Sequence, residues 1–128
     1  DGDASLALAN GSRYALPRKD PRFELWCKLL KEKQQSKGFV YLEIAPGSGK
    51  VQRVLSPALR QIEFVATAPD GDQLRVIPLA ASAVYHLRTT HERFAEWRRL
   101  VERARQSQDS VLLVSNPDNR EILWVQEP

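Results

Sequence analysis

Few residues of this chain have the types and spacings that chemistry needs. His86 and His91 are its two histidines, and a metal centre would want further ligands at helical or turn spacing, which no cysteine or carboxylate cluster supplies. Cys27 is the one cysteine. It falls in Leu25-Trp26-Cys27-Lys28, inside a helical pattern, and reads as a small apolar residue packed inward rather than as a thiolate held by a base. A lone cysteine forms no intrachain disulfide, so cysteine usage leaves the redox compartment open. Ser56, Ser82, Ser110 and Ser115 fall at strand ends or turns, and none sits in the strand-turn-helix elbow that exposes a nucleophile. The acids are scattered, so no carboxylate pair can be nominated for acid-base work. These observations nominate no catalytic, metal or cofactor-binding residue, and the expectation is a chain without a cofactor that leans away from enzymes.

Ala45-Pro46-Gly47-Ser48-Gly49-Lys50 comes nearest to a phosphate-binding loop, but that motif needs glycine at position 44 and a hydroxyl residue at position 51, where this chain has Ile44 and Val51. The residues that follow, Val51-Gln52-Arg53-Val54-Leu55, read as a strand and not as the helix whose first amides would face a phosphate. The segment is expected to be a hairpin turn. Asn10-Gly11-Ser12 matches a glycosylation acceptor, a match too short to carry weight by itself.

A different chemistry is offered by Phe39 and Tyr41. Alternation along Phe39-Val40-Tyr41-Leu42-Glu43-Ile44 puts Val40, Leu42 and Ile44 on one face and the two rings on the other. Nearby, residues 13–37 carry eight bases against three acids, while residues 38–128 balance eleven of each, so the net charge of +3 is a regional property. Aromatic rings beside a basic surface can stack bases and attract phosphates. Arg18, Lys19, Arg22, Lys28, Lys31, Phe39 and Tyr41 are therefore the candidate nucleic-acid-binding residues. The competing reading has the lysines as a solvated helix face and the rings covered by the first helix.

The elements that would position these residues follow from periodicity. Residues 1–12 are small and polar without a usable period and are expected to be a disordered tail or linker, leaving 13–128 as a single domain. Asp20-Pro21 reads as a helix start. Phe23, Trp26, Cys27 and Leu30 then form one helical stripe and Gly38 stands as the stop, which predicts a helix over 21–36. Strand-like runs follow at 39–44, 50–55, 61–67, 73–79 and 83–87, with Pro69-Asp70-Gly71-Asp72 as the strongest hairpin turn. Thr89 and Glu92 are spaced as a capping box ahead of a second amphipathic helix over 90–106, carried by Phe94, Trp97, Leu100, Val101 and Ala104. A hairpin from 111–114 and 121–125 ends the chain.

The fold class expected is α+β: a mainly antiparallel sheet of five to seven strands with two amphipathic helices packed on it. From Lys50 onward the order of three strands, helix and terminal hairpin resembles an OB-type barrel, on element order alone. An open α+β sandwich is the alternative. With 42% hydrophobic and 27% charged residues the composition is that of a water-soluble globule, and no apolar run approaches the length of a membrane helix. Three functions stay open: a non-catalytic domain binding a protein or ligand, a basic single-stranded nucleic-acid module, and an enzyme with an unrecognised site. The partner expected is a protein, with nucleic acid as the other candidate; oligomeric state is undetermined. No methionine occurs at any position, so Asp1 reads as the start of a processed or excised product and the compartment stays open between an exported protein and an excised domain.

Overall fold

The computed structural model describes residues 3–80 and 83–128; Asp1, Gly2, Ala81 and Ser82 lie outside them. The fold is α+β, with two helices, a five-stranded antiparallel sheet and two smaller two-stranded sheets. Contacts divide the chain into two compact units, Asp1–Ser56 and Pro57–Pro128.

The N-terminal unit is one helix with two hairpins. Strand β1 (Ala4–Ala7) pairs with β2 (Arg13–Leu16), inside a region whose first twelve residues read as tail or linker. The pairing supplies the order: Leu8 N–H donates to the Ser12 carbonyl at 2.8 Å and Gly11 N–H to the Leu8 carbonyl at 3.0 Å. Gly11 adopts a φ of 91°, which a side chain would resist. Asn10-Gly11, flanked by alternating Leu6, Leu8, Tyr14 and Leu16, is thus a hairpin turn with a recognisable sequence signal.

Helix α1 (Phe23–Ser36) starts two residues later than its sequence implies: Arg22 holds the cap position with no side-chain cap, and the Asp20 carboxylate accepts the Arg22 backbone N–H at 2.8 Å in the turn that precedes the helix. Its end falls at the expected residue, but by a different device. The left-handed residue is Lys37, not Gly38, and Gly38 N–H donates to the Lys33 carbonyl at 2.9 Å, closing the helix in a Schellman-type turn. A Cβ at Gly38 would stand 3.1 Å from the Lys33 Cδ, whose side chain lies alongside. Strands β3 (Tyr41–Ile44) and β4 (Val51–Leu55) pair as the second hairpin, and the glycine-rich segment between them is the expected turn, with Ala45 N–H on the Lys50 carbonyl at 2.8 Å. Leu16, Trp26, Val51 and Val54 form the core, and Leu6, Phe23, Cys27, Leu30, Leu42 and Ile44 pack around it.

The C-terminal unit is the five-stranded sheet with one helix. Strands β5 (Ala58–Thr67), β6 (Gln73–Pro78), β7 (Tyr85–Arg88), β8 (Ser110–Ser115) and β9 (Ile122–Gln126), with helix α2 (Phe94–Ser107) between β7 and β8, are ordered β7-β6-β5-β8-β9. The long strand β5 serves two partners: Ala58–Gln61 pair with β8 and Ile62–Thr67 with β6, with a bulge between Ile62 and Phe64. The sheet curls so that β7 touches the residues just before β9 at one place. His86 N–H donates to the Arg120 carbonyl at 3.0 Å, a parallel bridge joins His86 to Glu121, and Arg88 pairs with Glu121 at 3.1 Å.

Helix α2 seals the inner face of this sheet. Its Trp97, Val101 and Ala104 join Ile62, Leu74, Val76, Leu87, Val111, Leu113, Ile122 and Val125 in one buried cluster, each large side chain contributing about 1.5–3 kcal/mol by leaving water. The capping box does not form. Helix α2 begins at Phe94, and the Thr89 hydroxyl is drawn instead to the β5–β6 turn, donating to the Asp72 carbonyl at 3.0 Å. His91 Nδ1 takes over the first turn, accepting the Arg93 N–H at 3.0 Å, while its ring stacks on Trp97 at 4.4 Å. Among the described residues no helix is long and apolar enough to cross a membrane.

Trp97 is 1% exposed and its Nε1 has no acceptor among the described residues. Trp97→Ala should cost about 3–5 kcal/mol by urea unfolding, because a large cavity opens. Trp97→Phe should cost less than about 2 kcal/mol, because the lost volume is partly offset by removal of an unpaired buried donor. Equal costs for the two would show that the indole N–H is satisfied in solution.

Candidate binding surfaces

The N-terminal unit carries a cleft of about 760 Å³ between the β1–β2 hairpin, the C-terminal half of α1 and β3. Its floor is apolar, with Leu6, Leu30, Leu42 and Ile44 among the lining side chains, and Phe39 stands in its wall. Lys31 and Lys33 are the charged residues that line it. No described acid pairs with either.

The seven residues nominated for nucleic-acid binding are distributed over this unit as follows. Val40, Leu42 and Ile44 pack on the core; within β3 alternation sets Tyr41 and Glu43 on the other side, whereas Phe39 precedes the strand and lines the cleft together with Val40, Leu42 and Ile44. Tyr41 lies opposite Leu55 and Glu43 opposite Arg53. The Arg53 guanidinium grips the Glu43 carboxylate with two hydrogen bonds of 2.6 and 2.9 Å, which holds Glu43 below the usual carboxylate range. Burial, with a smaller push from the Glu43 charge, raises the Tyr41 phenol above its ordinary value. The ring is therefore next to a carboxylate and an already paired cation.

Two of the nominated arginines are engaged locally. Arg18 lies over the Phe23 ring at 5.7 Å. Arg22 lies over Trp26 at 4.6 Å, pairs with Asp20 at 3.0 Å and donates to the Gln52 carbonyl at 3.1 Å. Hydrogen bonding to Arg22 lowers the Asp20 carboxyl, and the same bond raises the Arg22 guanidinium. Lys19, Lys28 and Lys31 are exposed. Of the seven, Lys31 and Phe39 are brought together at the cleft.

The C-terminal unit presents a second surface, which the sequence reading did not nominate. Leu74, Val76 and Leu87 point into the core, so Arg75, Ile77, His86 and Arg88 lie on the outer face of β6 and β7. Phe64 is 52% exposed and pairs across strands with Ile77. Leu79, just past β6, is equally exposed. Arg75 sits between Ala66 and His86, and Arg88 lies opposite Gln73. Strict alternation from buried Ile62 would have hidden Phe64. The bulge shifts the register, turns Val65 inward and leaves Phe64 outside, and a bulge has no reliable signature in a single sequence.

Acids accompany the arginines here. The charges of Arg75 and Arg88 act on Asp70 and Asp72 in the β5–β6 turn. A hydrogen bond between those two carboxyls holds Asp70 below and Asp72 above the ordinary range. The histidines do not converge: His86 forms the edge bridge and His91 the entry to α2. Among the described residues no group of three or more His, Cys, Asp or Glu could hold a metal ion.

The Glu43–Arg53 pair gives a signed pH dependence. Because the folded carboxyl titrates lower than the unfolded one, its stabilisation is present above the unfolded value and is lost as pH falls through the folded value. Glu43→Gln should therefore be less stable than the unaltered chain near pH 7, and the difference should shrink below about pH 4. Urea unfolding at the two pH values checks this, and a difference that grows on acidification would contradict it.

No family model, curated protein or solved structure matches the chain, so the functional reading rests on its own residues.

Proposed function

We propose that this chain is a non-catalytic binding protein whose C-terminal unit acts as an OB-like barrel and offers the outer face of β5, β6 and β7 to a polypeptide partner. Four features support the barrel reading. The order is three strands, helix and two strands; the first strand is long and shared between both halves of the sheet; a bulge lies at its switch point; and a parallel tie joins the edges. In that architecture ligands lie on the outer face of the second and third strands, which are β6 and β7. Architecture does not choose the ligand, so the chemistry of the face must.

The observation that carries the choice is the exposed Phe64, paired across strands with the half-buried Ile77, together with exposed Leu79, beside Arg75 and Arg88, which lie near Asp70 and Glu121. An apolar centre inside a charge-compensated rim is the anatomy of a protein interface. A polyphosphate would call for an excess of cations on the same face. Single-stranded nucleic acid is the second reading, favoured by the ten bases against six acids of residues 1–56.

A photoreactive phenylalanine analogue placed at position 64, with exposed Gln106 as the control position, separates the two. The expected product in cells of the source organism is a discrete, protease-sensitive adduct from position 64 that is missing from position 106. A nuclease-sensitive adduct, or none from position 64, overturns the polypeptide reading.

A further inference from the structure

We infer that the cleft of the N-terminal unit is a binding site for a single-chain anionic amphiphile, a free carboxylate with an unbranched apolar tail. Its volume of about 760 Å³ lies within the range of small-molecule sites. It opens to solvent. Leu6, Leu30, Leu42 and Ile44 make most of the lining apolar, with Tyr14 and Gln34 as its neutral hydrogen-bonding side chains, so an occupant gains chiefly by taking an apolar body out of water.

The charge at the cleft has one sign. Lys31 and Lys33 line it without an acidic neighbour in the lining, and neither is ion-paired with a described residue. The Lys33 stem runs across Gly38, with its Nζ 3.9 Å from the point a Cβ would occupy. The missing side chain at Gly38 thus makes room for the amine to lie along the end of α1. Cations at the edge of a mostly apolar lining match an anionic head joined to a hydrocarbon tail. A neutral lipid would leave the amines unused, and a cationic amphiphile would be repelled.

This inference concerns a different surface from the outer face of β5–β7, and either can fail without the other. The test uses the whole chain and titrates octanoate, decanoate and dodecanoate, each below its critical micelle concentration, against a displaced fluorescent fatty acid. Affinity should rise about fourfold for each added methylene until the cleft is filled. Dodecylammonium should bind at least about tenfold more weakly than dodecanoate. A Lys31→Gln, Lys33→Gln double variant with an unchanged circular dichroism spectrum should lose about five- to tenfold in carboxylate affinity.

Four results would overturn the assignment. Affinity may be independent of tail length, or equal for the ammonium and carboxylate heads. Binding may be confined to anionic vesicles and absent with the monomeric amphiphile. Finally, a stable dimer may form in which a second copy fills the cleft and excludes the carboxylate.

Discussion

Strand β5 is the constraint on which the C-terminal unit turns. A ten-residue strand that pairs with β8 along its first half and β6 along its second cannot stay straight, because the two partners diverge with the twist of the sheet. The bulge between Ile62 and Phe64 absorbs the bend. It also resets the alternation, so that Ile62 and Val65 both face α2. From that one irregularity follow the curl that brings His86 to Arg120, the closed inner core under Trp97, and the ejection of Phe64 to the outer face. The exposed aromatic is the structural counterpart of the curvature.

The N-terminal unit solves a harder problem with less material. Two-stranded hairpins are marginal alone, and here each borrows stability from α1 through a core of four fully buried residues. Trp26 is the hub, 3% exposed and covered by the Arg22 guanidinium, which in turn reaches the Gln52 carbonyl of β4. Arg22 thereby links the helix start to the second hairpin. The same economy leaves the far end of the helix under-filled. Near Lys31 and Lys33 no large side chain occupies the space bounded by Leu6, Leu30 and Leu42, and the cleft is the result.

Most elements were legible because their periods are strong. The stripes Phe23-Trp26-Leu30 and Trp97-Val101-Ala104 show both helices, and the β-branched runs show the strands from β3 to β9. The first hairpin was hidden for a physical reason. Ala4–Ala7 is short and built of small residues, so its hydrophobic signal is faint, although Asn10-Gly11 between alternating apolar residues marks the turn. The helix entries were misjudged at Thr89, whose hydroxyl found the carbonyls of a neighbouring turn instead of its own helix. Tertiary partners outcompeted the local motif there, as they did at Phe64. The candidate surfaces were the least legible part, since the cleft needs β1 and the outer face needs the bulge.

Charge chemistry differs between the units in a way that bears on both surfaces. All six lysines lie at or before Lys50, and the C-terminal unit carries nine arginines and no lysine. Arginine's flat, forked head stacks and pairs at the same time, whereas lysine's is a hydrated point charge. The C-terminal arginines are used accordingly: Arg93 over Trp124 at 4.8 Å, Arg98 over Phe94 and onto Glu102, Arg103 on Glu127 at 3.0 Å. The unit's ten acids balance the charge of its nine arginines. In the N-terminal unit Arg22 and Arg53 play the same structural part, and Lys31 and Lys33 are left at the cleft. The net positive charge therefore belongs to the N-terminal unit, where ten bases meet six acids.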